Sequence, residues 1–555
     1  MALFLGIDCS TQSMTGVVIQ SDEPSQSSSP FTLIASASFQ FDKRLPHYGT
    51  TKGVLASNGH VEVPSLMFVE ALELLLQDLT VELDKSGHAM SQIRAVSGCA
   101  QQHTSVFWKV SSLKLPQDGR LHAFLKEQRA FDPENGRSWM DSSTSSHCKA
   151  LEAALGGSQH VADITGSRAY ERFTGIQLMA LWGQVPSRVS LASSLLTSLF
   201  LGQLSSVEHS DASGMNVMDV RSRKWSAPIM DAMEAIGGVP LGTVRRVLGD
   251  EPIPSTESGG TVAKFFQSVH GFSADCIVLP FTGDNPSCLA GMGLSQCGDI
   301  GISLGTSGCL FAVGAASDVR PCGEFGHVMV NPVDPLTLMA MVCFKNGSLA
   351  RENVRDRRAG GTWQEFSRLM ELSPPGNHGY LGFFYLQPEI TPVVPTESDS
   401  PTLSGVHGFN GHDEPQDALT WPAEVEVRAI VEWQCLAMYR YIQKLYKGPI
   451  RRIVVGGGAS VNASILEVLS NVMQAPVYVE ANGHHTAALG GALRAQHGFH
   501  CNEVKSAVPF CPAVDWELKA TPNRRVHEVY KAMLQRFERL EGIAIASQRD
   551  RYYQP

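Results

Sequence analysis

The sequence predicts an α/β protein built as two related domains that face one another across a cleft. Three observations carry this. Short apolar strands alternate with helix-length amphipathic stretches along the chain. A strand–turn–strand pattern at residues 3–20, LFLGIDCSTQSMTGVVIQ, returns at 299–314 as DIGISLGTSGCLFAVG. The chain's 555 residues also exceed what a single core organises, at roughly 150 residues per domain.

Leu3, Phe4, Leu5 and Ile7 form the first buried strand and Val17, Val18 and Ile19 the second, while TLIASASFQF (32–41) alternates like a half-buried third. Asp8 stands at the end of the first strand, and Ser10, Thr11 and Ser13 fill the turn. Such hydroxyls, with successive turn amides, can hold an anion or a metal-bound phosphate. An ordinary hairpin, whose Asp and Ser satisfy turn amides, accounts for the same residues. From Pro64 the spacing of Val69, Leu72, Leu76, Leu79 and Leu83 predicts a helix that Gly87 stops, and IRAVSG (93–98) reads as the next strand. CIVLPFTGDN (276–285) and IRRIVVGGGAS (450–460) open further α/β stretches, the second continued by the helix ASILEVLSNVM (463–473) and the strand VYVEA (477–481). Residues 21–30 and 393–422, rich in Pro, Ser, Gly and acid, predict loops, the longer one a mobile insertion.

Composition narrows the function classes. Charged residues are 18% of the chain, below the usual ~25%, and hydrophobic residues 43%, as in a large globular protein with much of its surface buried. The net charge of −10 supplies no field for a polyanion, so no nucleic-acid partner is expected and any phosphate must be held locally. Twelve cysteines without a C-x-x-C pair are expected to be reduced thiols. No apolar run approaches ~18 residues and no signal peptide is recognisable, so no membrane association and a cytoplasmic protein are expected.

Chemistry concentrates in three stretches. In FTGDNPSCLAGM a strand ends at Thr282, Gly283 follows, and Asp284-Asn285-Pro286 opens a helix. Taken alone Asp284 is a helix cap. At a strand end beside a cleft, the same carboxylate can take a hydroxyl proton as general base, worth ~10² to 10⁴ in rate. In VVGGGASVN, Gly457 and Gly458 permit close approach of a flat ligand or phosphate to backbone, with Asn462 at the following helix. The spacing is not G-x-G-x-x-G, and the absence of any Gly-Lys dipeptide removes a P-loop. SGCAQQHTSVFW sets Gln101, Gln102 and His103 after a strand, and GSRAYERFTG carries Arg168 and Arg172. Mixed donors and acceptors suit a polyol. A structural histidine and an arginine paired with a carboxylate are the plainer accounts.

These stretches, together with SWMDSSTS, HSDASGMNVMD, ISLGTSG, FGHVMVNPVDP and MVCFKNGSL, run in one order along nearly the whole chain. In that order they resemble the FGGY family of carbohydrate kinases, of the actin, chaperone and sugar-kinase superfamily, and more narrowly its eukaryotic-type xylulokinases. The resemblance implies two ribonuclease-H-like domains flanking a nucleotide and substrate cleft: residues 1–297 for sugar binding and the catalytic base, 298–555 for ATP. It implies ATP-dependent phosphorylation of D-xylulose to D-xylulose 5-phosphate with Mg2+, by a monomer or homodimer. Asp284 would be the base and Asp8 would orient the magnesium. Ser10, Thr11, Gly305, Thr306 and Ser307 would hold phosphates. Gln102, His103, Arg172, Asp284 and Asn285 would meet the sugar, and Trp363, Gly457, Gly458 and Asn462 the adenosine. The alternatives are a kinase for ribulose, ribitol or glycerol, or a sensor of the same fold that binds sugar and ATP without catalysis. Ala100 and Thr104 stand where glycines are usual, Cys288 replaces a serine and Trp433 a glycine. That bulk is expected beside the sugar site, narrowing the substrate range or slowing turnover while leaving an active enzyme.

Overall fold

The computed structural model of the chain describes residues 2–21, 31–57, 59–395, 405–480 and 485–553. It divides into two compact units. The first comprises Met1–Ser295, Pro321–Leu338 and His484–Val514, and the second Gln296–Arg320, Met339–Gly483 and Asp515–Pro555. Two stretches from the later part of the sequence thus fold with the earlier part.

In the first unit β1 (Ala2–Cys9), β2 (Ser13–Ser21) and β3 (Phe31–Gln40) run as an antiparallel meander, with Leu5 opposite Val18 and Thr15 opposite Ser38. After the helix α1 (Ser65–Lys85), β4 (Ile93–Ala100) returns on the far side of β1 and parallel to it. Ile277–Val278 then extends the sheet parallel to β4, with Gly260–Thr261 at its edge. A strand's side chains alternate between faces, so β1 serves two layers. Leu3, Leu5 and Ile7 share a core with Leu72, Leu75, Leu76, Leu79 and Leu83 of α1. Phe4 packs on Phe499 of the helix Thr486–Val504, with ring centroids 5.6 Å apart.

Glycines bring that second helix onto the sheet. A Cβ on Gly6 would lie 2.0 Å from the Ala488 carbonyl oxygen, and one on Gly491 2.8 Å from the Gly98 Cα. Backbone therefore meets backbone where any side chain would push the layers apart. The buried Arg494 guanidinium of the same helix donates to the carbonyls of Gly98 at 3.1 Å and Pro280 at 2.8 Å. Those two carbonyls belong to β4 and to the segment between Val278 and Thr282 that leads towards α2 (Asp284–Gly291).

The second unit repeats the plan. β5 (Asp299–Leu304) and β6 (Gly308–Ala315) form a hairpin, with Leu304 opposite Gly308. β7 (Arg452–Gly456) then lies parallel to β5, β8 (Val477–Glu480) parallel to β7, and β9 (Trp516–Ala520) closes the edge antiparallel to β8. The recurrence of the hairpin is therefore a recurrence of topology. The 393–422 stretch differs from the loop expected of it: Val406–Phe409 pairs antiparallel with Leu381–Phe384, and Pro415–Gln416 adds to the same small sheet. Phe409 is buried there against Phe383 at 5.9 Å, because apolar residues in VHGF repay pairing. Residues 22–30 of the first expected loop, 396–404 of the second, and Ala481 of the expected strand lie outside the described residues. Among the described residues no helix is long and apolar enough to cross a membrane.

Candidate active site

Three strand ends meet in the first unit. Asp8 of β1 lies opposite Cys99 of β4, and on β4's other side Thr282 and Gly283 lie opposite Cys99 and Ala100. The chain therefore leaves the carboxyl ends of three parallel strands side by side, presenting Asp8, the Gln101-Gln102-His103 turn and Asp284 at one edge. That edge is where open α/β sheets bind ligands. Asp284 is not the cap of α2 but its first residue, Gly283 holding the capping position. Its Oδ1 accepts from the Asn285 amide at 2.8 Å and from Asn285 Nδ2 at 3.1 Å. Asn285 Nδ2 also reaches Gln102 Oε1 at 3.1 Å, joining the β4 turn to α2. A Cβ on Gly283 would stand 2.7 Å from Gln102 Cγ, so this contact requires glycine.

Asp8 and Asp284 keep some open surface but are recessed. Burial raises the Asp8 carboxyl above its ordinary value, opposed by the Ser10 hydroxyl at 2.6 Å and the Cys99 thiol at 3.4 Å. Burial, and then the charge of Asp8, push Asp284 up to about 7. Two recessed like charges favour a proton on one of them or a cation between them. The Asp8 carboxylate with the Ser10 and Thr11 hydroxyls is a hard oxygen set of the kind Mg2+ takes. Ser10 already donates to Asp8, and Thr11 Oγ1 accepts from Trp139 Nε1 at 2.9 Å. A third carboxyl, Asp211, was not anticipated. Burial pushes it up to about 8; Oδ2 accepts the Ser193 hydroxyl, and Oδ1 has no partner among the described residues.

His103 takes a left-handed backbone (φ 68) and its Nδ1 donates to the Gly214 carbonyl at 2.9 Å, which leaves Nε2 as an acceptor. Its ring stacks on Phe173 at 4.4 Å, and burial followed by the Arg172 charge holds it well below the usual imidazole range. Thr104 is more than added bulk: it donates to Gln101 Oε1 at 2.9 Å and accepts the Trp139 amide at 3.3 Å. The two arginines of GSRAYERFTG part company. Arg168 pairs with Glu152 at 3.3 Å. Arg172 instead donates to His327 Nε2 at 2.7 Å and lies over the Tyr170 ring at 4.3 Å. Asn216, itself left-handed (φ 56), clamps this loop. Its Nδ2 donates to Thr165 Oγ1, the Ser167 carbonyl and the Arg168 carbonyl at 3.0, 3.2 and 3.1 Å, and Oδ1 accepts the Tyr170 amide at 3.2 Å. Asp211, Gly214, Asn216 and His327 all fall inside HSDASGMN and FGHVMV, stretches noticed as patterns but given no role.

In the second unit the Gly305-Thr306-Ser307 turn joins β5 to β6, with Thr306 and Ser307 exposed. The Gly305 carbonyl accepts the Ser348 amide at 3.1 Å, and a Cβ on Gly347 would come 2.5 Å from the Thr306 carbonyl oxygen. Gly457 has φ 89 and a Cβ there would stand 2.9 Å from the Leu304 carbonyl carbon, whereas Gly458 faces open space. Trp363 begins α3 (Trp363–Leu372), its ring half-exposed under the Arg355 guanidinium at 4.7 Å. Asn462 is engaged at both ends: Oδ1 caps α4 (Ala463–Met473) by accepting the Ile465 amide at 3.1 Å, and Nδ2 donates to Ser367 at 3.0 Å. Trp433, expected beside the sugar, is buried in the second unit against Phe384 and Tyr385, at 5.8 and 5.5 Å.

Comparison with known proteins shows the family and the fold. Residues 300–499 match the C-terminal domain of the FGGY family of carbohydrate kinases. The chain is 38% identical over 534 residues to "Xylulose kinase 2" of Arabidopsis thaliana, covering 94% of this chain and 91% of that protein. It is also 38% identical over 555 residues to "Xylulose kinase" of Rattus norvegicus, covering 97% and 96%. Its fold superposes on the crystal structure of xylulose kinase from Rhodospirillum rubrum with a TM-score of 0.74 at 16% identity, over the full length of both chains.

Proposed function

This chain belongs to the FGGY family of carbohydrate kinases, and from that premise we propose that it transfers the γ-phosphoryl group of ATP to D-xylulose, giving D-xylulose 5-phosphate and ADP. The observation that carries the site assignment is Asp284: a recessed carboxyl at a strand end, pushed up to about 7 beside Asp8. A base of that strength is part-ionised at neutral pH and takes a proton efficiently. Asp284 accepts the proton of the sugar's terminal hydroxyl as that oxygen bonds to the γ-phosphorus, and ADP departs with the electrons of the broken P–O bond.

The neighbours suit a neutral polyol. His103 Nε2 offers an acceptor and Arg172 a donor, while the Asn285 and Gln102 side-chain amides can both donate and accept. In the second unit the exposed Thr306 and Ser307 with Gly305 are assigned to phosphates, and Gly457, Gly458 and the Trp363 ring to the adenosine. Asn462, committed to its cap and to Ser367, acts by shaping the glycine turn. Asp8, with the Ser10 and Thr11 hydroxyls, would hold Mg2+. When bound, that ion supplies charge neutralisation for the phosphates. A cytoplasmic setting, where ATP and reduced thiols are found, belongs to the same reading.

The test is an ADP-release assay with MgATP and a panel of D-xylulose, D-ribulose, L-ribulose, ribitol and glycerol. Turnover confined to D-xylulose is expected. Turnover on another member alone would reassign the substrate, and silence across the panel with ATP binding intact would leave a sensor.

A further inference from the structure

Among the described residues no carboxylate is paired with Arg172, the one charged side chain assigned to the sugar other than Asp284. Its guanidinium points at an imidazole instead, and that choice constrains the imidazole. An arginine can only donate. With Arg172 on Nε2 at 2.7 Å, the Nε2 of His327 must be bare, so the ring's proton sits on Nδ1 and is donated to Ser167 Oγ at 2.9 Å. A protonated ring would set an N–H against the guanidinium's N–H. Burial, with the charge of Arg172, holds His327 well below the usual imidazole range, in agreement.

The backbone keeps the three residues in place. The Val328 amide donates to the Gly166 carbonyl at 2.8 Å, bringing His327 beside Ser167. A Cβ on Gly166 would strike the Val328 carbonyl oxygen at 2.0 Å, so the approach depends on glycine there. Ser167 and His327 are both buried. The guanidinium then lies between an acceptor at one edge and the faces of Tyr170 and Phe173, at 4.3 and 5.6 Å. Its charge is oriented but not neutralised.

We infer that His327 is a positioning residue for the sugar site: as a neutral imidazole whose tautomer is fixed by Ser167, it aims the Arg172 guanidinium at a hydroxyl or carbonyl oxygen of the substrate. A carboxylate in its place would compensate the arginine and weaken its hold on a neutral sugar. The inference rests on the assignment of Arg172 to the sugar made above.

Steady-state kinetics on Arg172→Ala, His327→Phe, His327→Gln and Ser167→Ala test it, with the panel sugar that the wild-type enzyme phosphorylates best. Gln can return an acceptor to the guanidinium and Phe cannot. His327→Phe is expected to raise the sugar KM about tenfold or more, the worth of one hydrogen bond to a charged group, with kcat and the KM for ATP little changed. His327→Gln should recover most of that loss, and Ser167→Ala should raise the KM in the same direction by less. Equal KM values for the Phe and Gln variants, whether both normal or both impaired, would overturn the inference while Arg172→Ala still raises the KM. A normal KM in Arg172→Ala would remove the sugar assignment itself, and this inference with it. Should the Phe variant fail to fold, the Ser167→Ala KM decides, an unchanged value overturning the inference.

Discussion

The Thr282 hydroxyl donates to Glu208 Oε2 at 2.6 Å, and the same carboxylate oxygen accepts the Asp211 amide at 3.2 Å. One buried side chain thus ties the last residues before Asp284 to the turn that begins the HSDASG stretch, whose Gly214 carbonyl in turn holds His103. Asp284 and His103 are far apart in sequence, yet their orientation passes through this shared brace.

Glu208→Ala should therefore cost stability and turnover together, whereas Glu208→Gln, which keeps an acceptor for Thr282, should be milder. Leaving the buried donors unsatisfied costs about 1–3 kcal/mol. Thermal melts and kcat on the two variants check the order.

Asp284→Asn should lower kcat about 10²- to 10⁴-fold while leaving ATP affinity close to normal, because it removes proton acceptance and little else. Turnover and nucleotide titration on one preparation check both halves. Undiminished kcat would end its assignment as base.

The pH dependence follows from the same group. As the base we propose, Asp284 must act as a carboxylate, and it is pushed up to about 7, so kcat/KM should fall as pH drops through about 7 and level off above it. An ordinary carboxylate would place that limb near pH 4, about three units lower. A pH–rate profile from 5 to 9 separates the two.

Asp211 makes a stability prediction of the opposite sense. Its folded-state value, about 8, lies above the ordinary carboxylate value of 3.8, so between those limits the folded protein binds the additional proton and loses stability as pH rises. Asp211→Asn removes that dependence. The variant's melting temperature relative to wild type should rise from pH 5 to pH 8, and a parallel pair of curves would contradict it.

Gly6→Ala should destabilise the first unit by about 1–3 kcal/mol or more, since the new methyl would lie 2.0 Å from the Ala488 carbonyl and only backbone movement relieves it. Thermal melts check this.

Local chemistry made much of this protein legible in its sequence. The apolar runs of Leu3–Ile7 and Val17–Ile19, the helical spacing through Leu83 and the glycine turn at Gly457 each express an interaction among near neighbours, and each appears where the sequence places it. Motif order was enough to indicate the carbohydrate kinase family. What the sequence left undecided is what depends on partners distant along the chain. The same Arg172 suited a carboxylate partner as well as a sugar, and only the packing of residues 321–338 beside the Gly166 loop brought His327 to it. Asp284 by residue type was a helix cap, until the register of three strand ends set it next to Asp8 and burial raised its proton affinity. Desolvation and hydrogen-bond partnership are properties of assembled surroundings, which composition and spacing do not contain. The sequence by itself determined the elements and the kinds of side chain at their ends; the tertiary structure decided which of those side chains share an environment, and hence their charge.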